Sequence, residues 1–300
     1  MLSRLAEAFY WIGRYLERAE GTTRLLSEHY MLTVEDRSVA DEVAASVVLD
    51  ALSIPSGEVS TPAMLVRALV GDVGNPSTVV GAVSAARENA RSVREALPGD
   101  VFESLNSSYL VLTRGLATAA SPAASLQRVL ERLLMVNGAI EWTMTRDDGY
   151  SFLRLGRALE RIDMTARLLE VRHDHVWPES GPEAMLRAAA ALSSFLRTGE
   201  AITGDRAREY LVLDPTFPRS MLTSARVAEE SVRTLHSAGG DDELLREVGK
   251  LRSRLEFAGV PDDPDEVDRL AFDAQMSCIA SGDAVAHAWF RQPGTIVWSH

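Results

Sequence analysis

Apolar or small residues recur along the start of the chain at Leu2, Leu5, Phe9, Ile12, Leu16, Ala19, Thr23, Leu26 and Tyr30. Every step is three or four residues, so one side of a long helix over 2–30 faces a core. Gly13 and Gly21 interrupt it, and each costs about 1 kcal/mol relative to alanine in a helix interior. That cost makes sense if another backbone packs closely there. The same periodicity predicts a helix over 40–53, then one from the Thr61-Pro62 start to Val70, closed by Gly71. Asn75-Pro76 is expected to open the fourth, with Val79, Val83, Ala86, Ala90, Val93 and Leu97 inward. Asp100 is expected to cap the fifth, with Phe102, Leu105, Tyr109, Leu112 and Leu116 inward, and Ser121-Pro122 opens a sixth that runs to Met144.

The order then recurs. FYWIGRYLERAEGTTRLL at Phe9 to Leu26 returns as FLRLGRALERIDMTARLL at Phe152 to Leu169, with ten of eighteen positions identical at an offset of 143. Self-similarity over this distance predicts a tandem duplication with halves 1–145 and 146–300. A second long helix is expected over 148–173, then helices over 183–197 and 205–212. Phe217-Pro218-Arg219-Ser220 opens the counterpart of the Val79 helix, and segments 242–258 and 265–290 complete six plus six. No segment alternates with a period of two, so the fold class is all-α: a helical bundle of two pseudo-symmetric halves. The segments between helices, 34–39, 56–60, 177–182 and 259–264, are too short for flexible interdomain linkers. A single unit over 1–300 is therefore expected, in preference to two bundles touching only at their long helices.

Composition narrows the function classes. A net charge of −12, with Lys250 as the one lysine, argues against a general nucleic-acid binder. Charges at Arg4, Glu7, Arg14, Glu17, Arg18 and Glu20 leave no room for the apolar core of a signal peptide, and no run approaches the length of a membrane-spanning helix. A single cysteine, Cys278, agrees with a reducing cytoplasm, which is the expected location. It reads as a small buried residue.

The repeated motif carries the candidate chemistry: Arg14, Glu17 and Arg18 in the first copy, Arg157, Glu160 and Arg161 in the second. Tyr10, Arg14, Glu17, Gly21 and Arg24 form a stripe roughly opposite the apolar one. Two readings stand side by side. In one, the long helices cross and exchange ion pairs, Glu17 with Arg161 and Glu160 with Arg18, which fixes register. In the other, the four arginines line a cleft for a carboxylate or phosphate and the glutamates orient them.

Other constellations are weaker. His173-Asp174-His175 holds metal-ligand types without a partner cluster, so no metal is expected. The acidic run from Asp262 to Asp268 lacks the glycine and terminal glutamate of a calcium loop and reads as an acidic helix entry. A Cys278–His287 pair would be needed for a thiol nucleophile. There is no phosphate-binding glycine loop and no nucleophile elbow, so no cofactor is implied. The starts at Asn75-Pro76-Ser77 and Phe217-Pro218-Arg219-Ser220 read as efficient helix openings, with anion binding at their amides as the alternative.

MLSRLAEAFYWIGRYLERAE at the start, Asn75-Pro76-Ser77, Arg87-Glu88-Asn89-Ala90-Arg91, FLRLGRALERIDMTARLL and LDPTFPRS together resemble the alpha-E family of bacterial all-helical proteins over nearly the whole chain. The resemblance maps the family's Glu-Arg motif onto Arg14, Glu17, Arg18, Arg157, Glu160 and Arg161. It implies association with a circularly permuted ATP-grasp protein of carboxylate-amine ligase type, and often with a transglutaminase-like cysteine protease. The expected role is a non-catalytic or accessory component of an amide-bond-forming system. An enzyme using the Arg/Glu cluster as an anion site is the alternative, and a homo-oligomeric scaffold, with Trp11 and Trp298 as spare aromatics, is a third.

Overall fold

The computed structural model describes residues 3–55, 59–115, 121–237, 242–258 and 264–290, and among them no residue is in a strand. The fold is all-α. Helix α1 (Ser3–Glu35) packs most extensively against α7 (Asp148–Glu170), and the two form the centre of the molecule. Around α1 lie α4 (Val79–Ser92) and α6 (Pro122–Thr143), bridged by α5 (Gly99–Gly115). Around α7 lie α12 (Met221–Ser237) and α14 (Pro264–Trp289), bridged by α13 (Asp242–Glu256). The neighbour order of the first set thus recurs in the second. Shorter helices α2 (Asp41–Ala51), α3 (Pro62–Gly71), α8 (His173–Val176), α9 (Gly181–Ala188), α10 (Leu192–Leu196) and α11 (Gly204–Leu213) fill the flanks. Contact between the two sets is not confined to the long helices, since α9 packs on α1 and α2 on α7.

The apolar periodicity points inward as expected. Phe152, Leu155, Leu159, Ile162, Ala166 and Leu169 of α7 are buried, as are Leu126, Val129, Leu133, Val136 and Ile140 of α6. In α5 the buried line is Val101, Leu105, Ser108 and Leu112, so Phe102 and Tyr109 sit at its edge; Leu116 lies outside the described residues.

Several boundaries differ from expectation for local reasons. Helix α4 starts at Val79, not at Asn75-Pro76: the Asn75 side chain accepts from Ser77 N at 2.9 Å, a local turn that competes with helix, and Thr78 is the cap, accepting from Gly81 N at 3.2 Å. Helix α12 likewise waits until Met221, with Ser220 accepting from Thr223 N at 3.0 Å. Each cap hydroxyl also reaches back to a carbonyl six residues earlier, Thr78 to Asp72 and Ser220 to Asp214. Gly99 precedes Asp100 in α5, so Asp100 lies in the first turn and is not the cap. The expected helix over 183–197 is broken in two, because Ala190 takes a left-handed φ of 57° and Ala191 N closes back on Leu186 O at 2.7 Å. Helix α1 runs on to Glu35, shortening the expected loop.

The glycines at the crossing account for the closeness of α1 and α7. A Cβ on Gly13 would lie 2.0 Å from the Leu153 carbonyl oxygen, and one on Gly156 would lie 2.1 Å from the Tyr10 carbonyl oxygen. Neither can be relieved by a side-chain rotation, so only glycine permits this approach. Gly21 differs, since it faces the flexible Met164 side chain at 3.1 Å.

Candidate functional site: the Glu-Arg seam

Where α1 and α7 approach, their carboxylates are driven into the interface. Glu17 is 1% exposed and Glu160 is fully buried. The stripe expected opposite the apolar face is therefore not solvated: Tyr10 and Glu17 are buried, because α7 covers that side. The expected exchange of pairs is present. Arg161 binds Glu17 through Nε to Oε1 at 2.9 Å and Nη2 to Oε2 at 2.7 Å, a bidentate fork. Arg18 binds Glu160 through Nε to Oε1 at 2.6 Å and Nη2 to Oε2 at 3.2 Å.

Each glutamate then takes a second arginine, and here the two copies differ. Arg14 donates from Nε to Glu160 Oε2 at 2.5 Å and from Nη1 to Tyr10 Oη at 3.0 Å. Arg157, at the matching place, turns to α6, binding Glu141 at 2.8 Å and Asn137 at 3.1 Å. Its place at Glu17 is taken by Arg219, which donates to Glu17 Oε1 at 2.7 Å and to Glu20 at 3.1 Å. Five of the six motif residues thus share two buried clusters and Arg157 belongs to a third contact. Arg219 lay in the LDPTFPRS block but carried no signal as a seam residue. The position 142 before it is Ser77, so the repeat offers no cue.

At Glu17 the electrostatics favour the ionised form. Burial pushes the Glu17 carboxyl upward, but Arg161 and Arg219 outweigh it and bring it down to about 2. Burial acts against the Arg14 guanidinium, yet Glu160 holds its pKa above the ordinary arginine value. Arg219 is lowered, chiefly by burial, with Glu17 in opposition. Two arginines on each carboxylate occupy three of its roughly four acceptor sites and bury it, so neither glutamate is presented to a substrate as a general base.

Of the six motif residues, Arg14 lines a cleft of about 650 Å³ together with Glu7, Tyr10, Trp11, Cys278, Asp283 and Phe290; the other five do not line it. Trp11 stacks on Tyr15 at 5.3 Å. Cys278 is buried and burial pushes its thiol well above the usual range, which keeps it protonated and unreactive. His173 is buried against His29 and turns away from the other two, while Asp174 pairs with Arg208 and has the exposed His175 Nε2 at 3.6 Å. Among the described residues no group of three or more His, Cys, Asp or Glu side chains is placed to hold a metal ion. Asp262 and Asp263 of the acidic run lie outside the described residues, while Asp265 and Glu266 sit in the first turn of α14 and Asp268 pairs with Arg172. The helix-start amides Gly81 N and Thr223 N are occupied by their caps.

A family described as a predicted alpha-helical domain with a conserved ER motif matches residues 1–290. The chain belongs to the Alpha-E family. The two Glu-Arg dipeptides, Glu17-Arg18 and Glu160-Arg161, are the residues that cross-pair in the seam. The Alpha-E chain is also similar to an uncharacterized protein of Mycobacterium bovis and to one of Mycobacterium tuberculosis, each 23% identical over 324 aligned residues. Those alignments cover 98% of this chain but 36% of each relative, so the chain spans about a third of the length of the curated relatives it matches. No solved structure matches it. Among the described residues no helix is long and apolar enough to cross a membrane.

Proposed function

We propose that this Alpha-E chain is a non-catalytic, accessory component of an ATP-grasp ligase system that forms amide bonds in the cytoplasm, binding the carboxylate-amine ligase-like enzyme or its substrate. A transglutaminase-like protease is a further candidate partner. The observation that carries the accessory reading is the consumption of the motif: both glutamates are sealed and doubly paired, and the one thiol is buried and protonated. The length of the relatives supports a partner, since in them a region like this chain makes up 36% of a longer polypeptide. The matched neighbour order around α1 and α7, with the 143-residue sequence offset, supports a duplicated architecture in which the Glu-Arg motif joins the halves.

Pull-down with a genomically adjacent ATP-grasp protein, at about micromolar concentration and with nucleotide present, tests the reading; the expected outcome is a complex that raises ligase turnover. If the two proteins neither associate nor affect each other's activity, the accessory role fails. The alternative of an anion-binding enzyme keeps one supporting observation, the opening of Arg14 into its cleft. Calorimetric titration with carboxylates and phosphates, with Arg14→Gln as the comparison, tests it, and heat that is unchanged in the variant removes it.

A further inference from the structure

Helix α14 stands to Asp163 as α6 stands to Glu20. Asn137 Nδ2 on α6 donates to Glu20 Oε2 at 2.9 Å, and Gln275 Nε2 on α14 donates to Asp163 Oδ1 at 3.0 Å. The buried residues keep the same register: Val129, Leu133, Val136 and Ile140 match Val267, Ala271, Ala274 and Cys278 at one constant offset of 138. In that register Glu141, four residues after Asn137, falls on Ile279, four after Gln275. Glu141 is the carboxylate that pairs with Arg157 at 2.8 Å, and the arginine matching Arg157 is Arg14. The cleft beside Arg14 therefore holds an isoleucine where Arg157 finds a carboxylate.

Arg14 is left with donors to spare. Its Nε is on Glu160 and its Nη1 on Tyr10 Oη, while Nη2 makes no hydrogen bond among the described residues. Glu160 is shared with Arg18, so this buried group of three charges sums to one positive. The backbone of α14 runs close by at Gly282, where a Cβ would lie 3.5 Å from Tyr10 Oη and 3.9 Å from Arg14 Nη1, so no side chain at that position covers either atom. Trp11, Ile279 and Phe290 give the cleft apolar walls, with the Phe290 ring 5.5 Å from that of Tyr10. Glu7 and Asp283 also line it, and neither forms a salt bridge among the described residues. Asp283 follows Gly282 directly, so a negative group stands near the positive one. A bare anion would be drawn by Arg14 and repelled by these carboxylates, whereas a molecule carrying both charges suits both.

We propose that this cleft binds a zwitterionic amino acid with a large apolar side chain. Its carboxylate accepts from Arg14 Nη2 and the Tyr10 hydroxyl, in place of the carboxylate that Ile279 does not supply. Its ammonium faces Asp283 and Glu7, and its side chain packs on Trp11 and Phe290. The proposal rests on the reading of Arg14 as an anion site and adds the class of ligand. A cleft of about 650 Å³ is within the usual range for a small-molecule site, with apolar walls and a few polar groups to set orientation.

Calorimetric titration of the full chain with L-phenylalanine tests the proposal, and saturable binding at about millimolar Kd or tighter is expected. 3-Phenylpropionate lacks the amine, 2-phenylethylamine lacks the carboxylate and glycine lacks the ring, so each is expected to bind about 10-fold more weakly or worse. The double variant E7Q/D283N is expected to bind phenylalanine no better than 3-phenylpropionate. Ile279→Glu supplies the missing carboxylate from α14 and is expected to raise the melting temperature and to bind phenylalanine at least about 10-fold more weakly than Ile279→Gln, its neutral counterpart. Position 279 is 54% exposed, so both variants are expected to fold, and circular dichroism checks their helix content. Arg14→Gln is expected to abolish binding. If phenylalanine binds no more tightly than 3-phenylpropionate or inorganic phosphate while Arg14→Gln weakens them all, the ligand class is overturned and the anion site stands. If none of these ligands binds in a way that depends on Arg14, both fail. Equal binding by Ile279→Glu and Ile279→Gln also overturns the proposal, since the ligand carboxylate would not occupy the place matching Glu141.

Discussion

At the scale of single residues, the seam asks each buried carboxylate to stay charged, and its value lies in specificity more than in net stability. Burying an ion pair costs desolvation that its attraction only partly repays, whereas removing one partner leaves the other charge stranded. Glu17→Gln strands Arg161 and leaves Arg219 with Glu20 as its one carboxylate, so a loss of about 3–5 kcal/mol is expected in chemical denaturation. Glu160→Gln strands Arg14 and Arg18 and should cost a similar amount. Arg157→Gln is expected to cost far less, about 1 kcal/mol, because its partner Glu141 is 43% exposed. Equal losses at all three positions would contradict the asymmetry of the seam.

A second buried pair sets the response to acid. His29 Nδ1 and His173 Nε2 lie 3.2 Å apart beside Trp177, and burial lowers His29 to about 4 and His173 to about 3 from an ordinary 6.5. The unfolded chain takes up protons at these sites as pH falls through 6.5 and the native state does not, so stability is lost as pH drops from there toward 4. Each histidine is expected to remove about 2 kcal/mol between neutral pH and about pH 5. Glu17 works in a lower window: its stabilisation is complete above 4.5 and disappears as pH falls from there toward 2. Urea titrations at several pH values separate the two, and His29→Leu with His173→Leu should flatten the upper window alone.

At the scale of elements, the crossing of α1 and α7 rests on absent side chains. Gly13→Ala places a methyl 2.0 Å from a carbonyl oxygen and Gly156→Ala places one at 2.1 Å, so each must push the helices apart. Such overpacking costs about 1–3 kcal/mol, and here it also lengthens the Glu-Arg pairs. Gly138 in α6 is the control: nothing lies within 4 Å of its added Cβ, so Gly138→Ala should raise stability by about 0.5–1 kcal/mol through helix propensity. Opposite signs in thermal melts of Gly13→Ala and Gly138→Ala are the expected result.

Much of this level was legible in the chain. The 3,4 spacing located the long helices, the cost of Gly13 implied a close backbone, and the exchange of Glu17 with Arg161 and Glu160 with Arg18 was one of the two readings the repeated Glu-Arg dipeptide left open. What stayed hidden depends on neighbours distant in sequence. Arg157 is drawn off by Glu141 and Asn137 on α6, Arg219 arrives from a loop whose first-copy counterpart has Ser77 in its place, and Ala190 turns left-handed without a glycine to signal it.

At the scale of the whole molecule, the long helices are shared, not partitioned. Phe9, Ile12 and Leu16 of α1 and Leu155, Leu159 and Ile162 of α7 belong to one contiguous apolar cluster, which extends into α4, α6 and α12. Neither half can retain the seam without the other: Glu17 would lose Arg161 and Arg219, and Glu160 would lose Arg14 and Arg18. Two independent bundles would melt separately, and a seam mutation would shift neither by much. One shared core melts once, so scanning calorimetry is expected to show a single transition whose calorimetric and van't Hoff enthalpies agree. Glu17→Gln on α1 and Glu160→Gln on α7 should each lower that one transition as a unit, because the contact they break belongs to both sets of helices. A trace that splits into two transitions in either variant, with one staying at the original temperature, would show that the sets fold apart and that the seam only fastens them.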